Sequence, residues 1–265
     1  MPAPSQACSR LPITTVIVCC NECRHLPACI AGVSFCDELI VIDLRSTDGC
    51  PELVASLGAT IRHHPRVPFG QLALPSVLGQ LRNPWVLNVD PDEVVPADLV
   101  PRIAATLAAG TADVGTIGLP YQFYFGRRPL RGTIWGGTRP LYKLFHADRI
   151  TIGDHPHDGV MLRPGYRRAP LENAESCPVQ HYWMENWSQL FEKHLRYIQQ
   201  EGVARHAAGE RFGWKKASVT SARAFKRCLI DCIRYRDGVA GVLLSVFYGW
   251  YTWNCFMSLR AQGKG

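Results

Sequence analysis

Residues Met1 to Leu11 lack a basic segment followed by an apolar run, so no secretory signal is expected and the cysteines are read as reduced thiols. A chain of 265 residues has no need of disulfide staples either. Its 11 cysteines lack the arrangement that a metal cluster requires. Cys20-Asn-Glu-Cys23 has Cys-x-x-Cys spacing with Cys19 beside it, but no second pair stands at matching spacing. Small buried side chains are the expected role. Charged residues are scarce, 19% against 47% hydrophobic, which excludes a disordered chain. Internal repeats and low-complexity tracts are absent, which excludes a solenoid. The length suits one large domain, with or without an appendage.

The net charge of +7 is unevenly spread. Arg211, Lys215, Lys216, Arg223, Lys226, Arg227, Arg234 and Arg236 stand against the single acid Asp231. Such a cluster meets nucleic acid, anionic lipid or acidic substrates. The next segment of the chain decides among these. Gly238 to Leu259 carries no formal charge and is rich in Val, Leu, Phe, Tyr and Trp. Its length matches a bilayer, yet its glycines, Ser245, Thr252, Asn254 and aromatics favour the headgroup boundary. A helix or helical hairpin lying in the cytoplasmic leaflet is expected behind a basic amphipathic helix over 215–236. A spanning helix and a helix contacting a partner are the alternatives. Nucleic acid would leave both the apolar tail and the acidic clusters unexplained, so no nucleic-acid partner is expected.

The first half alternates strand and helix. Ile13–Cys19, Glu38–Asp43, Ala59–Arg62 and Trp85–Asp90 read as strands. Arg24–Val33, Leu53–Leu57 (capped by Ser46 or Thr47), a weak segment over 71–82 broken by Pro75, and Ala97–Ala109 read as helices. That alternation predicts a parallel sheet with crossover helices. After about residue 113 the pattern becomes short strands, at Val114–Leu119, Tyr121–Phe125, Leu141–Phe145 and Val160–Leu162, which predicts an antiparallel extension. Glu185–Gln200 is a helix with Leu190, His194 and Tyr197 on one side.

Acids gather where strands end. Pro91 cannot donate to a ladder, so the strand through Val86, Leu87 and Val89 stops near Asp90, and Asp90, Asp92 and Glu93 sit on the turn beyond. Ligands of open α/β sheets bind at that end. Three crowded carboxylates repel unless a cation or donors offset them. They either hold Mg²⁺ or Mn²⁺ with a substrate phosphate or cap the next helix.

Together these motifs resemble the family 2 glycosyltransferases, most closely the small bacterial lipopolysaccharide-core β-glucosyltransferase type. Asn21-Glu22 resembles the family's Lys-Asn-Glu opening. Asp43-Leu-Arg-Ser-Thr-Asp-Gly49 resembles its Asp-x-Gly-Ser-Thr-Asp-Gly signature, with Arg45 in place of the glycine and Cys50 in place of the next threonine. Asp90-Pro-Asp-Glu93 resembles Asp-Ala-Asp-Glu. Gly126-Arg-Arg, Trp135-Gly-Gly, Leu144-Phe145, His157-Asp158, His181-Tyr-Trp183, Arg196-Tyr197 and Asp237-Gly238 come after it in the family's order. Asp158 stands where the family usually has Glu, and Gln71-Leu-Ala-Leu74 lacks the family's basic residue and Asn.

The resemblance implies a GT-A (Rossmann-like) α/β fold: a mostly parallel sheet, a small antiparallel extension and a helical, membrane-associating tail. The glycosyltransferase domain is expected over 1–210, its nucleotide-sugar half over about 12–112 and its acceptor half over 113–210, with the basic and apolar helices over 211–265. It implies a nucleotide-diphosphate sugar donor, a UDP-sugar above others, and Mg²⁺ or Mn²⁺. Asn21, Glu22, Asp43, Asp48 and Asp90 would bind the donor nucleotide. Asp90, Asp92 and His181 would hold the metal, unless His181 only braces its loop. Asp158 would be the general base, and Glu93 a cap for the helix beyond it. Arg127, Arg128 and Arg139 would meet acceptor or phosphate, or sit on a solvated face. The implied reaction is inverting transfer to a lipid-linked or saccharide acceptor of the lipopolysaccharide-core type, by a protein peripheral or monotopic on the cytoplasmic face of the inner membrane. Transfer to polyprenyl phosphate and a non-catalytic membrane-bound scaffold are the alternatives.

Overall fold

A computed structural model describes residues 10–153, 159–233 and 236–263. The elements in order are β1 (Leu11–Cys19), α1 (Leu26–Gly32), β2 (Cys36–Asp43), α2 (Cys50–Ser56), β3 (Thr60–His63), α3 (Pro75–Leu78), β4 (Trp85–Val89), β5 (Glu93–Val94), α4 (Val100–Ala108), β6 (Val114–Phe125), β7 (Arg128–Pro129), β8 (Arg139–His146), β9 (Ile150–Ile152), β10 (Val160–Leu162), β11 (Arg167–Pro170), β12 (Val179–Met184), α5 (Trp187–Ala207), α6 (Trp214–Ile233) and α7 (Gly238–Gln262). Two compact units emerge. One comprises residues 1–121 and 138–181, the other residues 122–137 and 182–265.

The first unit is built on the sheet. Strand order is β3-β2-β1-β4-β8-β6-β12-β5, with β7 and β11 paired to β6, while β9 and β10 form a separate pair. β1, β2, β3 and β4 run parallel; β8 joins β4 antiparallel, and β6 joins β8 antiparallel. The parallel sheet with an antiparallel extension is therefore as the sequence predicts. Every residue from Ile13 to Cys19 is buried, as expected of a strand covered on both faces. Val16, Val18, Ile40, Ile42, Val86 and Phe145 make one of those faces, packed on Leu74 and Val77.

Three local readings differ. α2 starts at Cys50 with no side-chain cap; Gly49, at φ +84°, turns the chain into it, so neither Ser46 nor Thr47 caps it. The 71–82 segment resolves into a 3₁₀ turn over Gly70–Ala73 and α3, divided at Pro75. Val114 to Phe125 is one strand, because Pro120 faces Pro140 across the β6–β8 ladder. Neither proline can donate, so a position needing no donor accepts both.

In the second unit, α7 packs against α5 and α6. α5 extends seven residues past the predicted end at Gln200, and its Asn186 side chain accepts from the Gln189 amide at 2.9 Å as an N-cap. Gly202 permits the α5–α7 approach, since any side chain there would collide with Ser258. α6 buries Ala217, Ser221 and Cys228 and exposes Lys215, Lys216, Arg223, Lys226 and Arg227. Leu190, His194 and Ile198 form the buried stripe of α5. Burial holds the His194 imidazole below its ordinary pKa, and the ring lies among Trp183, Phe247 and Tyr251.

Asp237, just before α7, accepts from the amides of Arg131, Gly132 and Thr133 at 2.6, 2.7 and 3.0 Å. This carboxylate fixes the loop that carries Trp135, whose ring stacks on Trp183 at 4.6 Å. Replacing it strips a charged acceptor from three amides. Asp237→Ala is expected to lower unfolding stability by about 2–3 kcal/mol in urea titrations; a change below about 0.5 kcal/mol, the range of ordinary surface substitutions, would contradict this arrangement.

Candidate active site at the carboxyl ends of the parallel strands

Register brings three strand ends together. Cys19 faces Asp43 across β1–β2, and Ile17 faces Val89 across β1–β4. The loops after β1, β2 and β4 therefore open at one edge of the first unit. They carry Asn21 and Glu22, Asp43 and Asp48, and Asp90, Asp92 and Glu93 respectively.

The first two loops are stitched together. Asn21, at φ +60°, accepts from the Thr47 amide through Oδ1 at 2.7 Å and donates its own amide to Ser46 Oγ at 3.0 Å. Asp43 is 1% exposed. Its Oδ1 accepts from the Ser46 amide at 3.1 Å, and His63 Nδ1 lies 3.3 Å from Oδ2. Arg45 has φ +59°. The left-handed region costs a non-glycine residue about 1–2 kcal/mol, which gives the glycine of the resembled signature a physical reason. Asp48 is exposed and binds across the same gap, accepting from the amides of Cys23 at 2.9 Å and Cys50 at 3.3 Å. Burial alone would raise its carboxyl, but a hydrogen bond from the Cys50 thiol and those from the backbone amides together hold it below the usual range.

The third loop is organised by a residue the motifs did not mark. Lys143 Nζ donates to Asp90 Oδ2 and to Glu93 Oε1, both at 2.6 Å. Burial disfavours this ammonium, yet Asp90 and Glu93 together lift its pKa above the ordinary lysine value. Glu93 has a fully buried side chain. It also accepts from the Asp90 amide at 3.0 Å and from the Tyr121 hydroxyl at 3.1 Å. Burial raises the Glu93 pKa, and Lys143 opposes that shift. Glu93 is thus not the helix cap that the sequence suggested. It is the centre of a buried polar network, and the next turn and α4 start without any side-chain cap.

His181 completes this group. Its Nε2 lies 3.5 Å from Asp92 Oδ2, and its Nδ1 lies 3.5 Å from Glu93 Oε1. Cross-strand pairing of His181 with Glu93 puts it there. Asp92 and His181 are each 12% exposed in the side chain. Cis ligands of an octahedral Mg²⁺ or Mn²⁺ lie about 3 Å apart, so this pair fits a shared cation that keeps open positions for phosphate oxygens. Asp90 Oδ2 is instead engaged by Lys143, and Asp90 does not converge with Asp92 and His181 into one three-ligand set among the described residues.

Asn21, Glu22, Asp43, Asp48, Asp90, Asp92 and His181 all belong to the first unit, as does Arg139, paired with Tyr121 at the start of β8. Burial pulls the Arg139 guanidinium below its ordinary pKa. Arg127 and Arg128 are exposed in the second unit, at the β6–β7 turn. The candidate base Asp158 and its neighbour His157 lie outside the described residues. Lys143 had a signal in the sequence, a lone lysine between Tyr142 and Leu144 in an apolar strand. What aims it is a register shift: Leu119 faces Leu141 while Ile117 faces Leu144, so β8 holds an extra residue at Tyr142–Lys143. Bulges re-aim side chains in this way.

Removing the lysine would leave Glu93 buried without its counter-charge. Lys143→Met is expected to destabilise the fold by about 3–5 kcal/mol, and adding Glu93→Gln to recover a substantial part. A loss under about 1 kcal/mol in the single variant, measured by urea unfolding, would show that the lysine is not the compensating charge.

The chain is similar to known glycosyltransferases. The family model described as Glycosyl transferase family 2 matches residues 14–172. The lipopolysaccharide core biosynthesis glycosyltransferase LpsC of Rhizobium meliloti is 34% identical over 128 residues, covering 45% of this chain and 47% of LpsC. An uncharacterized glycosyltransferase of Mycobacterium bovis is 32% identical over 166 residues, covering 60% of this chain and 70% of the relative. Among solved structures, glucosyl-3-phosphoglycerate synthase from Mycobacterium tuberculosis, in complex with Mn²⁺, UDP and glucosyl-3-phosphoglycerate, matches at 25% identity and a TM-score of 0.35, over 43% of each chain. The chain thus spans about half the length of LpsC, at 47%, and of this synthase, at 43%. With the family model matched over more than half of its residues, the chain belongs to the family 2 glycosyltransferases.

Proposed function

We propose that this chain is a metal-dependent, inverting glycosyltransferase that moves a sugar from a nucleotide-diphosphate donor to a lipid-linked or lipopolysaccharide-core-type acceptor at the cytoplasmic membrane face. The observation that carries the reading is the gathering of Asp43, Asp48, Asp92 and Glu93 at and beyond the carboxyl ends of neighbouring parallel strands, with Lys143 of β8 and His181 of β12 against the last two acids or their turn, in a family 2 glycosyltransferase. The core-type acceptor takes support from the likeness to LpsC, a lipopolysaccharide core biosynthesis glycosyltransferase.

In this reading Asp43 and Asp48, with Asn21 and Glu22 beside them, accept hydrogen bonds from the base and ribose, UDP being the favoured nucleotide. Asp92 and His181 hold Mg²⁺ or Mn²⁺ together with the donor phosphates. When bound, the cation supplies positive charge against the leaving diphosphate. Lys143 keeps Asp90 and Glu93 from repelling the phosphates at full strength. Asp158 takes the proton of the acceptor hydroxyl, whose oxygen bonds the anomeric carbon as the sugar–phosphate bond breaks and its electron pair leaves with the diphosphate. Arg139 neutralises acceptor or phosphate charge from the start of β8, and Arg127 and Arg128 are candidates for the same task.

The second unit supports a lipid-linked acceptor. A cavity of about 460 Å³ is lined by Trp187, Phe191, Leu243, Val246, Phe247 and Trp250. Val239, Val242, Leu243 and Val246 are exposed at 77, 45, 47 and 53%. Among the described residues no helix is long and apolar enough to cross a membrane. The proposed placement is therefore α7 and the basic α6 lying on an anionic surface. The same cavity favours one second reading, polyprenyl phosphate as the acceptor, which is already anionic and needs no base.

UDP with Mn²⁺ at about a hundredfold excess over its Kd is expected to raise Tm by roughly 5 °C, and Asp92→Ala to abolish the shift. If no nucleoside diphosphate stabilises the chain with either Mg²⁺ or Mn²⁺, the reading fails. Asp158→Asn should remove transfer to a saccharide hydroxyl; retained turnover assigns polyprenyl phosphate as acceptor. In flotation assays the chain should bind phosphatidylglycerol vesicles in a salt-sensitive manner, and Leu243→Glu with Val246→Glu should weaken that binding several-fold. Equal recovery with neutral vesicles, or none with either, rules out the membrane placement.

A further inference from the structure

The Cys-x-x-Cys pair, Cys20 and Cys23, has no second pair in the sequence, but the fold supplies Cys23 with other companions. Cys23 lies in the loop after β1, whereas Asp48 and Cys50 lie in the loop after β2 and at the first position of α2. One ligand atom from each of Cys23, Asp48 and Cys50 falls within 4.8 Å of the other two. The backbone already holds them in place. Asp48 accepts from the Cys23 amide through Oδ2 at 2.9 Å and from the Cys50 amide through Oδ1 at 3.3 Å. Cys50 is buried, Cys23 is half-buried and Asp48 is exposed, so the set has a closed floor and an open side.

We propose that Cys23, Asp48 and Cys50 form a binding site for a thiophilic divalent cation such as Zn²⁺, separate from the Asp92–His181 pair. Two sulfurs and one oxygen are a soft donor set, which selects Zn²⁺ over Mg²⁺ or Mn²⁺. Tetrahedral Zn²⁺ with bonds of about 2.0–2.3 Å places its ligand atoms roughly 3.5–3.8 Å apart. The side chains therefore need only to draw in by about an ångström, within the reach of small χ1 adjustments. Three protein ligands leave the fourth position, on the exposed side, to water or another donor. Both thiols release their protons to solvent as the metal–sulfur bonds form. Because each thiol must lose its proton to bind, ligation is expected to strengthen as pH rises. If Asp48 also serves the donor nucleotide, as the proposed function has it, the cation withdraws that acceptor and inhibits donor binding.

Cobalt reports the site without any nucleotide. Reduced, metal-free full-length chain titrated with Co²⁺ should show thiolate-to-cobalt charge-transfer absorption in the near ultraviolet. The signal should saturate at one equivalent and be displaced by Zn²⁺ but not by Mg²⁺. Cys23→Ser and Cys50→Ala should each weaken binding at least about tenfold. Cys23 is only half-buried, so its variant is expected to fold even if Cys50→Ala does not. Absence of the band in the reduced protein, or a band unchanged in Cys23→Ser, overturns the site. So does uptake only of metal that Cys20→Ser removes. The cobalt band stands or falls independently of UDP binding, so failure of the proposed function leaves it readable. Loss of UDP affinity on adding Zn²⁺, in wild type but not in Cys23→Ser, would tie the two sites together.

Discussion

One ammonium group holds the acidic turn together. Lys143 sits between Asp90 and Glu93 with a short hydrogen bond to each. Without it, two carboxylates three residues apart would face each other, one of them fully buried. Desolvating such a network is costly, so its contribution lies in fixing geometry more than in adding stability. Glu93, once fixed, gathers the Asp90 amide, the Tyr121 hydroxyl and the His181 ring. The turn after β4 is thereby tied to β6, β8 and β12 at the positions where the chemistry is proposed.

That arrangement also separates two kinds of acid in a single four-residue motif. Glu93 is structural and inaccessible, Asp90 is neutralised on one oxygen by a lysine, and Asp92 faces His181 near the surface. The three carboxylates are close in sequence but not equivalent in electrostatic environment, and of the two that contact His181 only Asp92 is not fully buried.

The alternation of elements, the parallel sheet and the strand-end acids were legible because they arise from local pattern. β-branched runs mark buried strands, and an acid at the end of such a run has few places to go. Asp43 and Asp90 could be read in this way, whereas Asn21 and Asp48 were legible through the family resemblance. Lys143 and the depth of Glu93 could not, because both depend on a one-residue shift between β6 and β8 that no periodicity records. The cap of α2 was misread for a related reason: Ser46 and Thr47 have capping chemistry, but their groups are used by Asn21, and Gly49 makes the turn. The grouping of Cys23 with Cys50 likewise required knowledge of which loops lie side by side. Asp158 rests on the sequence motif alone.

The two residues with left-handed backbone at the proposed donor site, Asn21 and Arg45, belong to loops already bonded to each other by Ser46 and Thr47. Those hydrogen bonds restrict the loops in the folded chain. A ligand docking against them therefore forfeits little entropy to loop ordering, and its affinity is set by the contacts it makes. In the proposed role, any selectivity among nucleobases would arise in the same manner, from contacts to loops that are already bonded to each other.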